Sequence, residues 1–129
     1  FPSPAPARRR GRILVVDDEP VLVKLYTHAL RRHHDVTGFT DARAAIEAIL
    51  AGRTFDLVLC DLSMPAMNGM QFFEEVRRID PAFAARIVFL SGGATSDETR
   101  DFLRDVPNAK LDKPIAPAAL EAFVEKTLA

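Results

Sequence analysis

Short apolar runs alternate with longer segments of helical periodicity along most of this 129-residue chain. From Arg12 onward, each run is followed by a segment in which apolar positions recur three and four residues apart, the spacing of one helix face. The pattern repeats five times and therefore predicts five strands and five helices. The runs predicted as strands are Arg12 to Val16, Asp35 to Phe39, Leu57 to Cys60, Ile87 to Leu90 and Lys110 to Asp112.

Each predicted helix carries one apolar face. We expect the first helix to end near Arg32, the second to be capped by Thr40 or Asp41, and Gly52 to stop the second. The apolar faces comprise Leu22, Leu25, Tyr26, Ala29 and Leu30 in the first helix; Ala42, Ala45, Ile46 and Ile49 in the second; Phe72, Phe73, Val76 and Ile79 in the third; Phe102, Leu103 and Val106 in the fourth; and Leu120, Phe123, Val124 and Leu128 in the fifth.

Strand and helix alternation with short connections predicts a doubly wound α/β fold. Right-handed crossovers place helices on both faces of a mostly parallel sheet. The third predicted strand is apolar throughout, as expected for a strand that is covered on both faces. Ligands of such folds bind outside the carboxyl ends of the strands, so we look for functional residues there.

The composition fits one domain and excludes few functions. With 48% hydrophobic residues the chain can bury a core, and its single cysteine excludes an internal disulfide. A net charge of −1 gives no reason to expect nucleic acid or acidic lipid as a partner. No apolar run approaches the roughly 20 residues that span a bilayer. We therefore expect a cytoplasmic chain that contacts neither nucleic acid nor membrane.

The first residues have a different composition from the rest. Residues 1 to 11 alternate proline with small residues and then collect arginines, which predicts a flexible linker ahead of a domain at 12–129. The chain begins with Phe1 instead of methionine. We expect it to be a segment of a longer protein.

Polar side chains follow four of the five predicted strands. Asp17 and Asp18 come after the first strand, Asp61 after the third, Ser91 after the fourth and Lys113 after the fifth. If strands one and three are neighbours, three carboxylates converge, and they cannot all stay ionised without a cation. Mg²⁺ or Mn²⁺ suits such oxygen ligands and takes further ligands from phosphate. The lysine and the serine hydroxyl could then bind a phosphoryl group.

Each of these residues has a simpler explanation when it is considered alone. Asp17 and Asp18 could cap the first helix, Asp61 could belong to a turn, Ser91 could cap a later helix, and Lys113 could be a surface lysine. Their placement at four separate strand ends favours a shared site.

The same positions carry sequence motifs that resemble a known family. The segments ILVVDDEP, LVLCDLSMPAMNGMQF, FLSGGA and KLDKP are similar to the motifs of receiver domains from bacterial two-component response regulators. The resemblance extends from Arg12 to Leu128. It implies a flavodoxin-like sheet with strand order 2-1-3-4-5, in which strands one and three are neighbours.

The resemblance also implies roles for the metal-site residues. Asp61 would accept a phosphoryl group from the phosphohistidine of a histidine kinase or a histidine phosphotransfer domain. Asp18 would bind the metal ion beside it, Asp17 would contribute largely through water, and the backbone carbonyl of Ser63 would complete the protein ligands.

For the phosphoryl group itself, the resemblance implies contacts from Ser91 and Lys113. A cis peptide bond would join Lys113 to Pro114, and Gly69 would supply the turn before the third helix. The chain would undergo phosphorylation as a signalling domain and would not be an enzyme in its own right.

The chain departs from the family pattern at two positions. Lys110 lies where receivers that drive an output domain usually carry an aromatic residue, so a conventional dimerising output is in doubt and we favour a monomer. Gly93 lies where many receivers place a larger residue, which predicts an exposed and short-lived acyl phosphate.

Several functional assignments stay open. The segment from Ser91 to Pro114 resembles receivers of hybrid sensor histidine kinases, so we favour the carboxy-terminal receiver of such a kinase. A stand-alone regulator and a degenerate receiver that only binds proteins are the alternatives. An aspartyl-phosphate phosphatase is disfavoured because Ser63 occupies the position where such enzymes carry a second aspartate. We also expect Cys60 to be a buried thiol, and His33 and His34 to be exposed at a helix end.

Overall fold

The computed structural model describes residues 10–92 and 96–129. Over these residues it contains five strands and six helices. The strands are β1 (Arg12–Val16), β2 (Asp35–Phe39), β3 (Leu57–Asp61), β4 (Ile87–Ser91) and β5 (Lys110–Asp112). The helices are α1 (Pro20–Leu30), α2 (Ala42–Leu50), α3 (Gly69–Ile79), α4 (Pro81–Ala84), α5 (Asp97–Asp105) and α6 (Pro117–Leu128).

The strands form one parallel sheet in the order β2-β1-β3-β4-β5. This confirms both the doubly wound class and the strand order that the family resemblance implies. Strand β1 lies between β2 and β3, with Val16 opposite Cys60 in the second pairing. Asp17 follows Val16 and Asp61 follows Cys60, so the pairing brings both aspartates together at the carboxyl end of the sheet.

Two hydrophobic cores cover the two faces of the sheet. Successive strand residues point to opposite faces, so Leu14 and Val16 pack with α2 and α3, whereas Ile13 and Val15 pack with α1 and α6. All five residues of β3 are buried. The continuous apolar run of that strand is therefore explained by its burial on both faces of the sheet, as predicted.

The caps of α2 and α3 follow from short polar side chains. The carboxylate of Asp41 accepts a hydrogen bond from the N–H of Arg43, so Asp41 and not Thr40 caps α2. Gly52 has a φ of 97° just beyond the end of α2, a conformation that favours glycine. Asn68 and Gln71 form a reciprocal capping box at the start of α3.

The prediction of five helices is wrong because a short sixth helix, α4, follows α3 directly. The carboxylate of Asp80 accepts hydrogen bonds from the N–H groups of Ala82 and Phe83, and Pro81 occupies the first turn. Four residues are too few to show helical periodicity. The strand predictions are nearly right, although β3 and β4 each extend one residue further, to Asp61 and Ser91.

Three side chains have an exposure that differs from the prediction. Leu25 and Ile79 belong to the apolar faces of α1 and α3, but they are 38% and 39% exposed. His34 was predicted to be exposed but is 3% exposed, and its Nδ1 accepts a hydrogen bond from the N–H of Gly11. Gly11 itself is buried, and Arg10 pairs with Asp35. The rest of the predicted linker, residues 1 to 9, lies outside the described residues, as does Gly93.

Gly69 is required for a reason other than the turn that the resemblance implies. Among the described glycines, only Gly52 has a positive φ. A Cβ atom at position 69 would lie 2.7 Å from the backbone oxygen of Asp61 and 2.9 Å from the Cα of Leu62. The first turn of α3 therefore packs directly onto the backbone at the end of β3, and a side chain would push them apart.

No helix in the described part of the chain combines the length and the apolar composition needed to cross a membrane.

We predict that Gly69→Ala lowers the free energy of unfolding by about 1 to 3 kcal/mol, since both contacts are with backbone atoms that cannot rotate away. Urea unfolding of the purified chain measures this. Gly92→Ala is the matched control, because its Cβ would meet only the Lys113 side chain at an ordinary 3.4 Å. A loss of less than about 0.5 kcal/mol for Gly69→Ala, the range of ordinary surface changes, would contradict the packing argument.

Candidate functional site

A half-buried lysine joins two buried carboxylates at the carboxyl end of the sheet. The Nζ of Lys113 lies 2.9 Å from Oδ2 of Asp17 and 3.4 Å from Oδ2 of Asp61. The side chains are 10%, 0% and 4% exposed, respectively. Three residues predicted at separate strand ends therefore lie together, and their side chains have little exposure to solvent.

Backbone hydrogen bonds fix where these side chains begin. The N–H of Asp17 donates to the carbonyl of Phe39, which holds the end of β1 against β2. Asp61 is the last residue of β3, and the N–H of Ser63 donates to its Oδ1 at 3.3 Å. The N–H of Lys113 donates to the carbonyl of Ser91 at 2.8 Å. The peptide bond from Lys113 to Pro114 is cis, as the family resemblance implies.

Three acidic side chains line the rim of the site. Each of Asp17, Asp18 and Glu19 offers a carboxylate oxygen, and these oxygens lie within 4.8 Å of one another. An all-oxygen set of this kind fits a hard divalent cation such as Mg²⁺. Glu19 was not among the predicted metal ligands, although the run Asp-Asp-Glu is the sequence signal that identifies it. Asp61 is outside this group of three, and its Oδ2 lies 3.4 Å from the same Nζ of Lys113 that contacts Asp17.

Burial and charge shift the pKa values of the two central groups. Burial, with the negative charge of Asp17 as a second cause, raises the pKa of Asp61 to about 6, while Lys113 and the Ser63 N–H oppose the rise. Burial acts to lower the pKa of Lys113, but its hydrogen bond to Asp17 and the charge of Asp61 outweigh this and raise that pKa. The lysine therefore remains a cation at neutral pH.

A cavity of about 340 Å³ lies next to Leu62 and Ser63, which directly follow Asp61 in the chain. Ser63 and Ser91 both line it, and Ser91 is half-buried at the end of β4. Ser96 and Thr99 are two further hydroxyl-bearing residues in its lining, so the cavity offers space and hydroxyl groups to a small polar ligand.

Cys60 precedes Asp61 but is not a reactive group of this site. The thiol is buried, as predicted, and its Sγ donates to the carbonyl of Asp61 at 3.4 Å. Burial raises the pKa of Cys60 well above its ordinary value, and the charges of Asp61 and Asp17 add to the rise. A thiol of this kind stays protonated at neutral pH and packs as a small apolar side chain.

The sheet order and this arrangement of acids and lysine agree with a family comparison. A family model described as the response regulator receiver domain matches residues 13–125. The chain belongs to the response regulator receiver domain family.

Curated relatives of this receiver domain include proteins of different sizes. It is 36% identical over 120 residues to the transcriptional activator protein PfeR of Pseudomonas aeruginosa, covering 91% of this chain and 37% of that protein. It is 32% identical over 128 residues to the sensor protein GacS of Pseudomonas syringae, covering 96% of this chain but 14% of that protein. Two-component response regulator 24 of Arabidopsis thaliana is 28% identical over 88% of this chain and 81% of that relative.

Solved structures show the same fold. The chemotaxis protein CheY4 of Vibrio cholerae matches with a TM-score of 0.78 and 27% identity, covering 93% of this chain and all of that one. A response regulator receiver protein of Sinorhizobium medicae matches with a TM-score of 0.75 and 30% identity, over 92% of this chain and 94% of that one. The molecule is a receiver domain of two-component signalling, with an acidic pocket at the carboxyl end of its sheet.

The raised pKa of Asp61 makes the stability of the metal-free receiver depend on pH. The folded value is about 6, whereas an unfolded aspartate titrates near 4. The folded state therefore binds this proton more tightly, and the stabilisation is complete below about pH 4 and is lost as the pH rises through about 6.

We predict that Asp61→Asn, which keeps the site neutral, raises the free energy of unfolding by about 1 to 3 kcal/mol at about pH 8 and changes it far less at about pH 4. Urea unfolding in EDTA at both pH values measures this. Asp97→Asn, at a position that is 91% exposed, serves as the control. Equal effects of Asp61→Asn at the two pH values would contradict the raised pKa of Asp61.

Proposed function

We propose that this receiver accepts a phosphoryl group on Asp61 from the phosphohistidine of a histidine kinase or a histidine phosphotransfer domain. The observation that carries the proposal is the position of Lys113, whose ammonium lies between Asp17 and Asp61 in a nearly closed pocket. A fixed cation beside a buried carboxylate can stabilise the charge that develops on a transferred phosphoryl group.

The chemistry assigned to Asp61 is nucleophilic attack on phosphorus. A carboxylate oxygen forms the new O–P bond while the P–N bond to the imidazole breaks, and the electron pair of that bond returns to the ring nitrogen. The N–H of Ser63 donates to Oδ1 of Asp61 and thereby orients the carboxylate. Because the pKa of Asp61 is about 6, most of the carboxyl group is ionised and nucleophilic at neutral pH.

The acidic rim supplies the ligands for Mg²⁺ or Mn²⁺. We assign Asp17, Asp18, Asp61 and the backbone carbonyl of Ser63 to this site, and the geometry adds Glu19 as a further carboxylate. When bound, the divalent ion neutralises charge on the carboxylates and on the phosphoryl oxygens. The ammonium of Lys113, which contacts both Asp17 and Asp61, balances the remaining charge.

Ser91 is assigned to the phosphoryl group itself. Ser91 lines the cavity next to Leu62 and Ser63, and its hydroxyl can donate a hydrogen bond to a phosphoryl oxygen. Water then hydrolyses the acyl phosphate, and the domain returns to its starting state. No separate substrate is turned over, so the domain acts as a signalling module and not as an enzyme.

We further propose that the domain belongs to a hybrid sensor histidine kinase, as its carboxy-terminal receiver. The match over 128 residues to a sensor protein, of which it spans 14%, supports this origin. The matches to PfeR and to the smaller Arabidopsis regulator support the alternative of a response regulator. A coding sequence with no kinase core upstream of this domain would overturn the hybrid origin.

A degenerate receiver that only binds proteins is the weaker alternative. Such a domain has no need to keep two buried carboxylates and a half-buried lysine together, because removing charges from water costs desolvation energy. In this receiver all three side chains are present and in contact range.

Phosphorylation is tested by the intact mass of the chain after incubation with acetyl phosphate and Mg²⁺. We predict one added phosphoryl group, lost in Asp61→Asn and in EDTA because the nucleophile or the cation is removed. Asp56→Asn is the control, because it changes an aspartate at the opposite end of β3 from Asp61. A beryllofluoride complex that forms without any phosphoryl adduct, even after rapid quenching, would favour the degenerate module.

We predict that the receiver stays monomeric after phosphorylation. Lys110 replaces the usual aromatic residue, and its ammonium donates to the carbonyls of Val106 and Asn108, which places a charge at the exposed start of β5. Light scattering with and without beryllofluoride measures the oligomeric state. A dimer that forms only in the presence of beryllofluoride would contradict this prediction.

A further inference from the structure

Two arginines meet around a small cavity at the opposite end of the sheet from Asp61. Arg12 is the first residue of β1, and Arg53 lies between α2 and β3. Both line a cavity of about 310 Å³, together with Thr37 of β2 and Thr54. The five residues of β1 separate this corner from Asp17 by roughly 17 Å, at about 3.3 Å per residue.

Neutral side chains hold both guanidinium groups. Nη2 of Arg53 donates to Oγ1 of Thr37 at 2.9 Å, and its guanidinium carbon lies 5.4 Å from the centre of the Phe55 ring. Nη1 of Arg12 donates to Oγ1 of Thr54 at 3.3 Å. Within residues 10–92 and 96–129, no carboxylate forms an ion pair with either guanidinium. Each of them has further N–H donors available, because a guanidinium carries five.

The support beneath this pair is rigid. Phe55 is 3% exposed and packs edge-on against Phe83, with ring centres 6.3 Å apart. The carbonyl of Phe55 accepts a hydrogen bond from Arg86 at 3.0 Å. The segment that carries Arg53 and Thr54 is therefore fixed by a buried anchor and is pre-organised for binding.

The threonine hydroxyls add two more donors. Each hydroxyl oxygen already accepts a hydrogen bond from an arginine, so its own proton is directed elsewhere. Among the described residues, no acceptor for either proton is found. Thr37 and Thr54 can therefore each donate to a ligand in the cavity.

The acidic groups nearby are already engaged. Oδ1 of Asp35, which also lines the cavity, accepts from Nε and Nη2 of Arg10 at 3.0 and 2.8 Å. Oδ2 of Asp56 accepts from the backbone N–H of Arg12. Three arginines against two aspartates leave a net positive corner on a chain whose total charge is −1.

From this convergence of donors we propose that the corner binds the phosphate group of a small phosphorylated molecule. Two guanidinium groups and two hydroxyl groups match the oxygens of a phosphate monoester, which arginine binds through paired N–H donors. The cavity volume lies at the small end of ligand sites and suits a phosphate with a small organic group. The site is separate from the phosphoacceptor pocket, so its occupation does not require Asp61.

The test is a nuclear magnetic resonance titration of the ¹⁵N-labelled chain with inorganic phosphate, a nucleoside monophosphate, and sodium chloride at matched ionic strength. We expect saturable shifts at Thr37, Arg53 and Thr54 with both phosphates, and none of comparable size with chloride. Arg53→Gln and Thr37→Val are each expected to raise the apparent Kd by about tenfold. Arg100→Gln, which removes the same charge from α5, is expected to leave the Kd unchanged.

The outcomes separate this site from the proposed phosphoacceptor function. Arg53→Gln is expected to accept a phosphoryl group from acetyl phosphate like the unaltered chain, and Asp61→Asn to bind phosphate at the corner as before. Shifts of equal size with chloride, or an equal loss in Arg100→Gln, would overturn the proposal. Binding to an oligonucleotide that strengthens with its length and falls steeply with salt would assign the corner to a nucleic-acid backbone instead.

Discussion

The ion pair between Lys113 and Asp17, with Asp61 close beside it, is the contact on which the functional end of this receiver depends. Two buried carboxylates next to each other repel, and each loses the water that would stabilise its charge. A single ammonium at 2.9 and 3.4 Å compensates both. Removing the ammonium would leave both carboxylates uncompensated, and breaking a buried ion pair in this way costs about 3 to 5 kcal/mol in comparable cases. The contact therefore links the carboxyl ends of β1, β3 and β5 through these three side chains.

The rest of the fold serves to bring those strand ends together. Because β1 is paired with β3, Asp17 and Asp61 leave the sheet at the same edge, and β5 adds Lys113 from beyond β4. The close packing of Gly69 on the backbone of Asp61 holds α3 against this edge. Compensation remains incomplete, since the pKa of Asp61 stays well above that of an ordinary aspartate. The pocket is thus formed without a bound cation, and a divalent cation would relieve its negative charge.

Much of this could be predicted from the sequence, because it depends on local patterns. Apolar runs separated by helical periodicity identified all five strands, and polar residues at strand ends identified Asp17, Asp61 and Lys113. The residues that escaped prediction have environments set by distant parts of the chain. His34 is buried because its ring accepts a hydrogen bond from Gly11, 23 residues earlier. Helix α4 is four residues long and has no period to detect. The cavity between Arg12 and Arg53 arises only when β1, β2 and the segment after α2 come together.

We infer that the acidic end of the sheet is a divalent cation site that the folded chain forms in advance. The thermal unfolding midpoint of the chain and of Asp18→Asn, with and without millimolar Mg²⁺ at constant ionic strength, tests this inference. A ligand that binds only the folded state raises the midpoint, because it stabilises that state by an amount that grows with the logarithm of 1 + L/Kd, where L is the free ligand concentration. We expect Mg²⁺ to raise the midpoint of the unaltered chain and to have little effect on Asp18→Asn. An equal rise in both proteins, or none in either, would contradict it.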